Sequence, residues 1–188
     1  VSGVKNVLAE FERQSGKHMR FSVKCRLGDE NFTDESFFAF AEMLVRNGVE
    51  RITLHSRTRK EKYRDRPRWS YAEKLAVMYP DISVVVNGDI KDRLSYGSVV
   101  SVCPHCDGVM IGRMAVQKPW IFAELRKSPD AEKTPVDLLA TGLEFIDYVE
   151  QYQPPEFYRT RLQRFFAYYC DNFSFAHYGK TQMLNAAD

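Results

Sequence analysis

Apolar and polar positions along residues 1–134 alternate between two rhythms. "RFSVKCRLG" (Arg20–Gly28) is a short β-rich run ending at glycine, and "DESFFAFAEMLVRNG" follows it with Phe37, Phe38, Ala41, Leu44 and Val45 spaced for one helical face. Asn47-Gly48 supplies the stop signal for that helix. Next come "ERITLH" (Glu50–His55), a polar loop, and "WSYAEKLAVMYP" as a second helix. "ISVVVNGDI" (Ile82–Ile90), a helix-like stretch from Lys91 to Val102, and "CDGVMIGR" (Cys106–Arg113) complete the series, and "GVKNVLAEFERQSGK" is a helix ahead of it. Strands starting near 21, 51, 82 and 107 make a βα unit that recurs roughly every thirty residues, which predicts parallel strands, buried on both faces, with helices outside.

Each predicted strand is apolar in its body and polar at its carboxyl end. Lys24 and Arg26 end the first, His55 and Arg57 the second, Asn87-Gly88-Asp89 the third, Gly112-Arg113 the fourth. In parallel α/β folds ligands bind at these ends, so four such clusters predict one pocket. Glycines at successive ends suit a phosphate, since backbone N–H groups can approach the oxygens, and Arg113 can add a charge-assisted pair. The competing reading of "NGD" is a plain turn, and of Gly112 a packing glycine. Lys24 and Arg26 share one strand face while Cys25 faces the helices. A lysine within a parallel strand is costly unless it meets an anion or snorkels to water. His55 can hydrogen-bond a ligand, act as an acid or base, or be structural; His18, His105 and His177 have no visible companions.

Charge adds a second theme. Lys and Arg outnumber Asp and Glu by 23 to 18 over residues 1–134 but not over 135–188, at 4 to 7. "RTRKEKYRDRPR" (Arg57–Arg68) packs seven basic and two acidic residues into twelve positions, interleaved with Tyr63 and followed by Trp69. Such a run beside a pocket suits RNA, although a solvated loop is the commoner meaning. Hydrophobic content of 44% and charged content of 28% are those of a globular protein, and no apolar run is long enough to span a membrane. Four cysteines without a secretory leader predict a reduced, cytoplasmic chain. Cys103-Pro-His-Cys106 has the spacing of half a zinc site, but no second ligand pair follows, so no metal is expected.

"SVKCRLG", "LHSRTRKEKYRDRPRW", "VVVNGDI" and "DGVMIGRMAVQKPWIF" resemble, in order and spacing, the tRNA-dihydrouridine synthases. The resemblance implies an FMN-bearing (β/α)8 barrel, of which residues 1–134 would be the C-terminal half (strands five to eight), with a small all-α helical tRNA-binding domain over 135–188. It implies NADPH-driven reduction of uridine to dihydrouridine in tRNA. By the same carry-over Lys24, His55, Asn87, Gly88, Asp89, Gly112 and Arg113 would hold FMN, and Arg57, Arg59, Lys60 and Lys62 would lie toward the RNA. The family's general-acid cysteine stands in an Asn-x-Gly-Cys-Pro loop, and none of Cys25, Cys103, Cys106 or Cys170 has that context. The expectation is therefore a piece of a longer enzyme, inactive alone and needing its missing barrel half or a second copy to fold stably. Two rivals are a small-molecule FMN oxidoreductase on the same barrel and a non-catalytic RNA-binding remnant.

Overall fold

The computed structural model of the chain describes residues 1–62, 64–128 and 135–185. They form two compact units, Val1–Ile90 with Leu94–Ile111, and Lys91–Arg93 with Gly112–Asp188.

The first unit runs α1 (Ser2–Ser15), β1 (Ser22–Arg26), α2 (Asp34–Arg46), β2 (Arg51–His55), α3 (Ser70–Met78), β3 (Ser83–Asn87), α4 (Arg93–Val102, from its second residue) and β4 (Gly108–Met110). The four strands are parallel and lie in sequence order. The expected βα alternation is thus present, each strand starting within two residues of its predicted place. Helix α2 illustrates the local logic. Thr33 caps it through a reciprocal box with Ser36, Asp34 and Glu35 sit in its first turn, Arg46 in its last, and Asn47 ends it.

In-register parallel partners share a sheet face, and the two faces differ here. Val23, Cys25, Ile52, Leu54, Val84, Val86 and Val109 belong to the core shared with Phe37, Ala41 and Leu44 of α2, Ala72, Leu75 and Ala76 of α3, and Val99 of α4. Across the opposite face run two rows in register, Lys24–Thr53–Val85–Gly108 and Arg26–His55–Asn87–Met110. On that face Lys24, Arg26 and Met110 are exposed and Val85 and Asn87 half-buried. Burial on both faces, expected from the apolar runs, therefore holds for the middle of β2 and not for β1.

The second unit consists of α5 (Arg113–Gln117), α6 (Ile121–Arg126), α7 (Leu138–Tyr152), α8 (Tyr158–Tyr169) and α9 (Ala176–Asn185). Its core is aromatic, built on Phe165, Phe166, Tyr169 and Cys170. Phe145 stacks on Phe165 with ring centroids 3.7 Å apart, and the Tyr169 hydroxyl donates to the Leu138 carbonyl at 2.8 Å. Beside the boundary at 134/135 expected from the sequence, the structure divides into compact units at Ile111/Gly112. Val116 of α5 and Trp120 pack on the aromatic core, and Arg93 donates to the Lys127 carbonyl at 2.6 Å. Those contacts bring residues 91–93 and the α5–α6 segment into the helical unit. Among the described residues no helix is long and apolar enough to cross a membrane.

Leu54, fully buried at the centre of the sheet, anchors the first unit. Leu54→Ala is expected to cost about 2–5 kcal/mol, read as a lower denaturation midpoint with an unchanged slope.

Candidate functional site

The functional-looking residues of the first unit gather around one buried guanidinium. Arg57 is 1% exposed although it opens the basic run. Its Nε donates to the Asp65 carbonyl at 2.7 Å and its Nη1 to Asp89 Oδ1 at 3.1 Å, while Nη2 reaches both Asp65 O and Asp89 Oδ2. The pair with Asp89 is therefore bidentate, the geometry a planar guanidinium favours. Arg57, expected to lie toward RNA, is placed inside the chain, where its guanidinium ties the end of β2 to the segment after β3.

That arrangement accounts for the abrupt ending of β3. Gly88 adopts φ +125, and a Cβ there would stand 3.2 Å from His55 Cδ2 and 3.3 Å from Pro67 Cβ. Asp89 follows at φ +55, a conformation Asp tolerates better than most residues, and its carboxylate is delivered to Arg57. Asn87 donates its amide to the Met110 carbonyl at 2.7 Å, bracing the ends of β3 and β4. The Trp69 indole donates to the Gly88 carbonyl at 3.1 Å. All three residues expected to meet a phosphate thus have internal work.

His55 sits beside this knot, 8% exposed. Arg57 Nη1 lies 3.3 Å from His55 Nε2, and a guanidinium can only donate, so Nε2 accepts and the ring proton is on Nδ1. Burial, and then the Arg26, Arg57 and Lys24 cations, bring the imidazole pKa from 6.5 down to about 4, with Asp89 opposing them. At neutral pH the ring is uncharged and offers one N–H. Lys24 stands exposed one row below, with no hydrogen bond or ion pair among the described residues. Cys25 faces the other way into the core, where burial pushes its thiol up to about 11. It is a packing residue, as its strand position predicts.

The basic loop is fastened at several points. Leu27 N–H donates to the Arg57 carbonyl, Arg59 N–H to Gly28 O, and Arg68 N–H to Ser56 O. Arg26 Nη1 donates to Thr58 O at 3.0 Å, and Glu61 accepts both the Thr58 N–H and the Arg68 guanidinium. Arg68 also lies over the Phe32 ring at 4.8 Å. What remains outward is Arg59, Lys60, Lys62, Arg64 and Arg66, all exposed, with Lys60 only loosely near Glu30 at 3.9 Å. Tyr63, expected to offer a stacking ring, lies outside the described residues. Gly112 and Arg113 belong to the second unit, where Gly112 precedes α5 and Arg113 is its first residue; both are exposed. His18, expected to lack companions, has two: its Nδ1 lies 2.6 Å from Glu12 and its Nε2 2.9 Å from Glu50, and Glu50 and then Glu12 raise its pKa.

Sequence reasoning missed the internal role of Arg57 and the part played by Glu61. A hint existed in the alternation "SRTR", which allows only some of these arginines to face outward, but the partner carboxylate lies thirty-two residues away.

Two outcomes follow. Asp89→Ala strips a carboxylate from a buried guanidinium and should cost roughly 3–5 kcal/mol in denaturant unfolding, more than Arg57 and Asp89 replaced together by apolar residues. The His55 pKa is lower folded than unfolded, so its contribution to stability is complete above about 6.5 and lost as pH falls toward about 4. An NMR titration should find the ring neutral through that window, and a midpoint near 6.5 would refute the assignment.

A family model described as "Dihydrouridine synthase (Dus)" matches residues 3–173. A probable tRNA-dihydrouridine synthase of Mycobacterium leprae is 34% identical over 121 residues, covering 63% of this chain and 30% of the relative. One from Aquifex aeolicus is 30% identical over 135 residues, 72% of this chain and 41% of the relative. A tRNA-dihydrouridine(47) synthase [NAD(P)(+)] of Scheffersomyces stipitis is 27% identical over 172 residues, 83% of this chain and 28% of the relative. The chain thus spans between 28% and 41% of the length of these relatives. With the match extending over nearly its whole length, the chain belongs to the dihydrouridine synthase family.

Proposed function

We propose that the protein containing this chain reduces uridine to 5,6-dihydrouridine in tRNA, with FMN as its flavin and NAD(P)H as reductant. In this reading the four strands are the fifth to eighth of a (β/α)8 barrel. The observation that carries it is the polar row across the strand ends, Arg26–His55–Asn87, with Lys24 one row below on the same face. Family membership and the activities for which the relatives are named support it.

The residues fit a flavin. A bound flavin would supply hydride transfer between a nicotinamide and an electron-poor ring carbon. Lys24, exposed and without an ion-pair partner among the described residues, supplies a fixed positive charge for an electron-rich ring edge. His55, held neutral, donates its Nδ1–H without adding charge. Asn87, Gly88 and Asp89 act one step removed: Asp89 fixes Arg57, Arg57 fixes the tautomer of His55, and Gly88 leaves room for the imidazole.

The tRNA side rests on the outward cations of the fastened loop, Arg59, Lys60, Lys62, Arg64 and Arg66. A small-molecule oxidoreductase has no use for five exposed positive charges on a braced loop, whereas a phosphate backbone does. This favours RNA as substrate over the small-molecule alternative.

The test is made on the full open reading frame that contains the chain. Purified protein should carry flavin and form dihydrouridine in unmodified tRNA when given NADPH. Lys24→Met should lower flavin retention and slow turnover by about ten- to a hundredfold while leaving tRNA affinity intact. Reversing two of the loop charges, Lys60→Glu with Arg64→Glu, should weaken tRNA binding and flatten its salt dependence without loss of flavin. Protein that retains no flavin and leaves uridine untouched would end the proposal.

A further inference from the structure

Cys103 and Cys106 bracket the loop between α4 and β4, and Glu73 meets them from α3. Both sulfurs and a Glu73 carboxylate oxygen lie within 4.8 Å of one another. Cys103 is 4% exposed, Cys106 half-buried, and the Glu73 side chain 19% exposed. Glu73 is held in place by His105, whose backbone N–H donates to Oε2 at 3.2 Å and whose ring Nδ1 lies 2.5 Å from Oε1. None of these residues belongs to the polar row at the strand ends.

Three groups that ionise to anions have been brought together with burial. Without a cation, negative charges on groups this close would repel one another. Cys103 donates to the Trp69 carbonyl at 3.3 Å, an oxygen that accepts from Ala72 N–H as well, so its proton can leave without stranding the carbonyl. A divalent cation turns the mutual repulsion into shared attraction.

We propose that Cys103, Cys106 and Glu73 bind a thiophilic divalent cation of the zinc class, with His105 as the residue that positions the Glu73 carboxylate. Two thiolates and one carboxylate are a ligand set suited to such an ion, and a water completes four-coordination. Each ion bound releases the two thiol protons to solvent, with no change of oxidation state. The carboxylate-to-histidine contact is the outer support such ligands ordinarily have. Spacing alone had counted Cys103-Pro-His-Cys106 as a metal-free loop because the third ligand lies thirty residues upstream on another helix. Bound metal would staple α3 to the α4–β4 loop.

The test is cobalt titration of the untagged, fully reduced protein encoded by the full open reading frame that contains the chain. Co2+ should give a thiolate-to-metal charge-transfer band and tetrahedral visible bands at one ion per chain, release about two protons per ion, and be displaced by Zn2+. Cys106→Ser should lose most of the charge-transfer intensity. Glu73→Gln keeps both thiols and a similar shape, so it tests the site even where a cysteine variant fails to fold; it should bind Co2+ at least tenfold more weakly. His105→Ala should weaken binding roughly ten- to a hundredfold while keeping the charge-transfer intensity per bound ion. Absence of the band in the reduced chain would overturn the assignment. So would a band that survives loss of both Cys103 and Cys106, binding unaffected by Glu73→Gln, or a Cys103–Cys106 disulfide that reductant does not open.

Discussion

The buried pair between Arg57 and Asp89 is the constraint from which the rest of the strand-end architecture follows. A guanidinium at 1% exposure is tolerable only when its donors are met, and among the described residues a carboxylate, a carbonyl and an imidazole nitrogen meet them. To supply the carboxylate, the chain must turn sharply after β3, and two successive residues with positive φ accomplish that. To supply the Asp65 carbonyl, the basic loop must fold back over the end of β2. To supply the imidazole, His55 must present Nε2 as an acceptor. One ion pair therefore sets a turn, a loop path and a tautomer together.

The one-sided sheet gives that constraint its location. Helices α2, α3 and α4 cover the face built from valine, isoleucine and leucine, which leaves the charged residues of β1 on the other face. Parallel register then lines up equivalent positions of successive strands, so Arg26, His55 and Asn87 form a row without needing contacts among themselves. Chemistry at the strand ends is in this sense a by-product of register plus uneven burial. Helix capping at Thr33 and the aromatic core around Tyr169 stabilise their own units and are indifferent to it.

Periodicity made the elements legible. The apolar runs at Val84–Val86 and Ile52–Leu54, and the helical face of Phe37, Ala41 and Leu44, are local patterns whose spacing encodes the period of the structure. Strand ends were legible too, because a switch from valine to Asn-Gly-Asp is visible without any partner. What could not be read was pairing at a distance. Asp89 is thirty-two residues from Arg57, Glu50 the same distance from His18, and Glu73 thirty from Cys103. Charge counting put Arg57 among solvent-facing cations because composition records how many charges a loop holds and not which one turns inward. Another distant pairing joins Val116 and Trp120, which follow a strand in sequence, to the aromatic cluster that Phe165 and Phe166 build much later in the chain.

The electrostatics of the polar row link these structural facts to the proposed chemistry. Burial and then Arg26, Arg57 and Lys24 act on His55 in the same direction, and Asp89 opposes them. A surplus of positive charge on this sheet face favours an anionic or electron-rich ligand there, and the same surplus keeps the histidine from competing as a further cation. Neutral His55 can then contribute direction through its N–H while Lys24 contributes charge. Had the imidazole ionised, it would have lost its acceptor role toward Arg57, and the pair with Asp89 would have had to balance two cations with one carboxylate. The low imidazole pKa and the buried ion pair are thus mutually dependent, which is why residues two apart on one strand and a turn thirty residues on behave as a single unit.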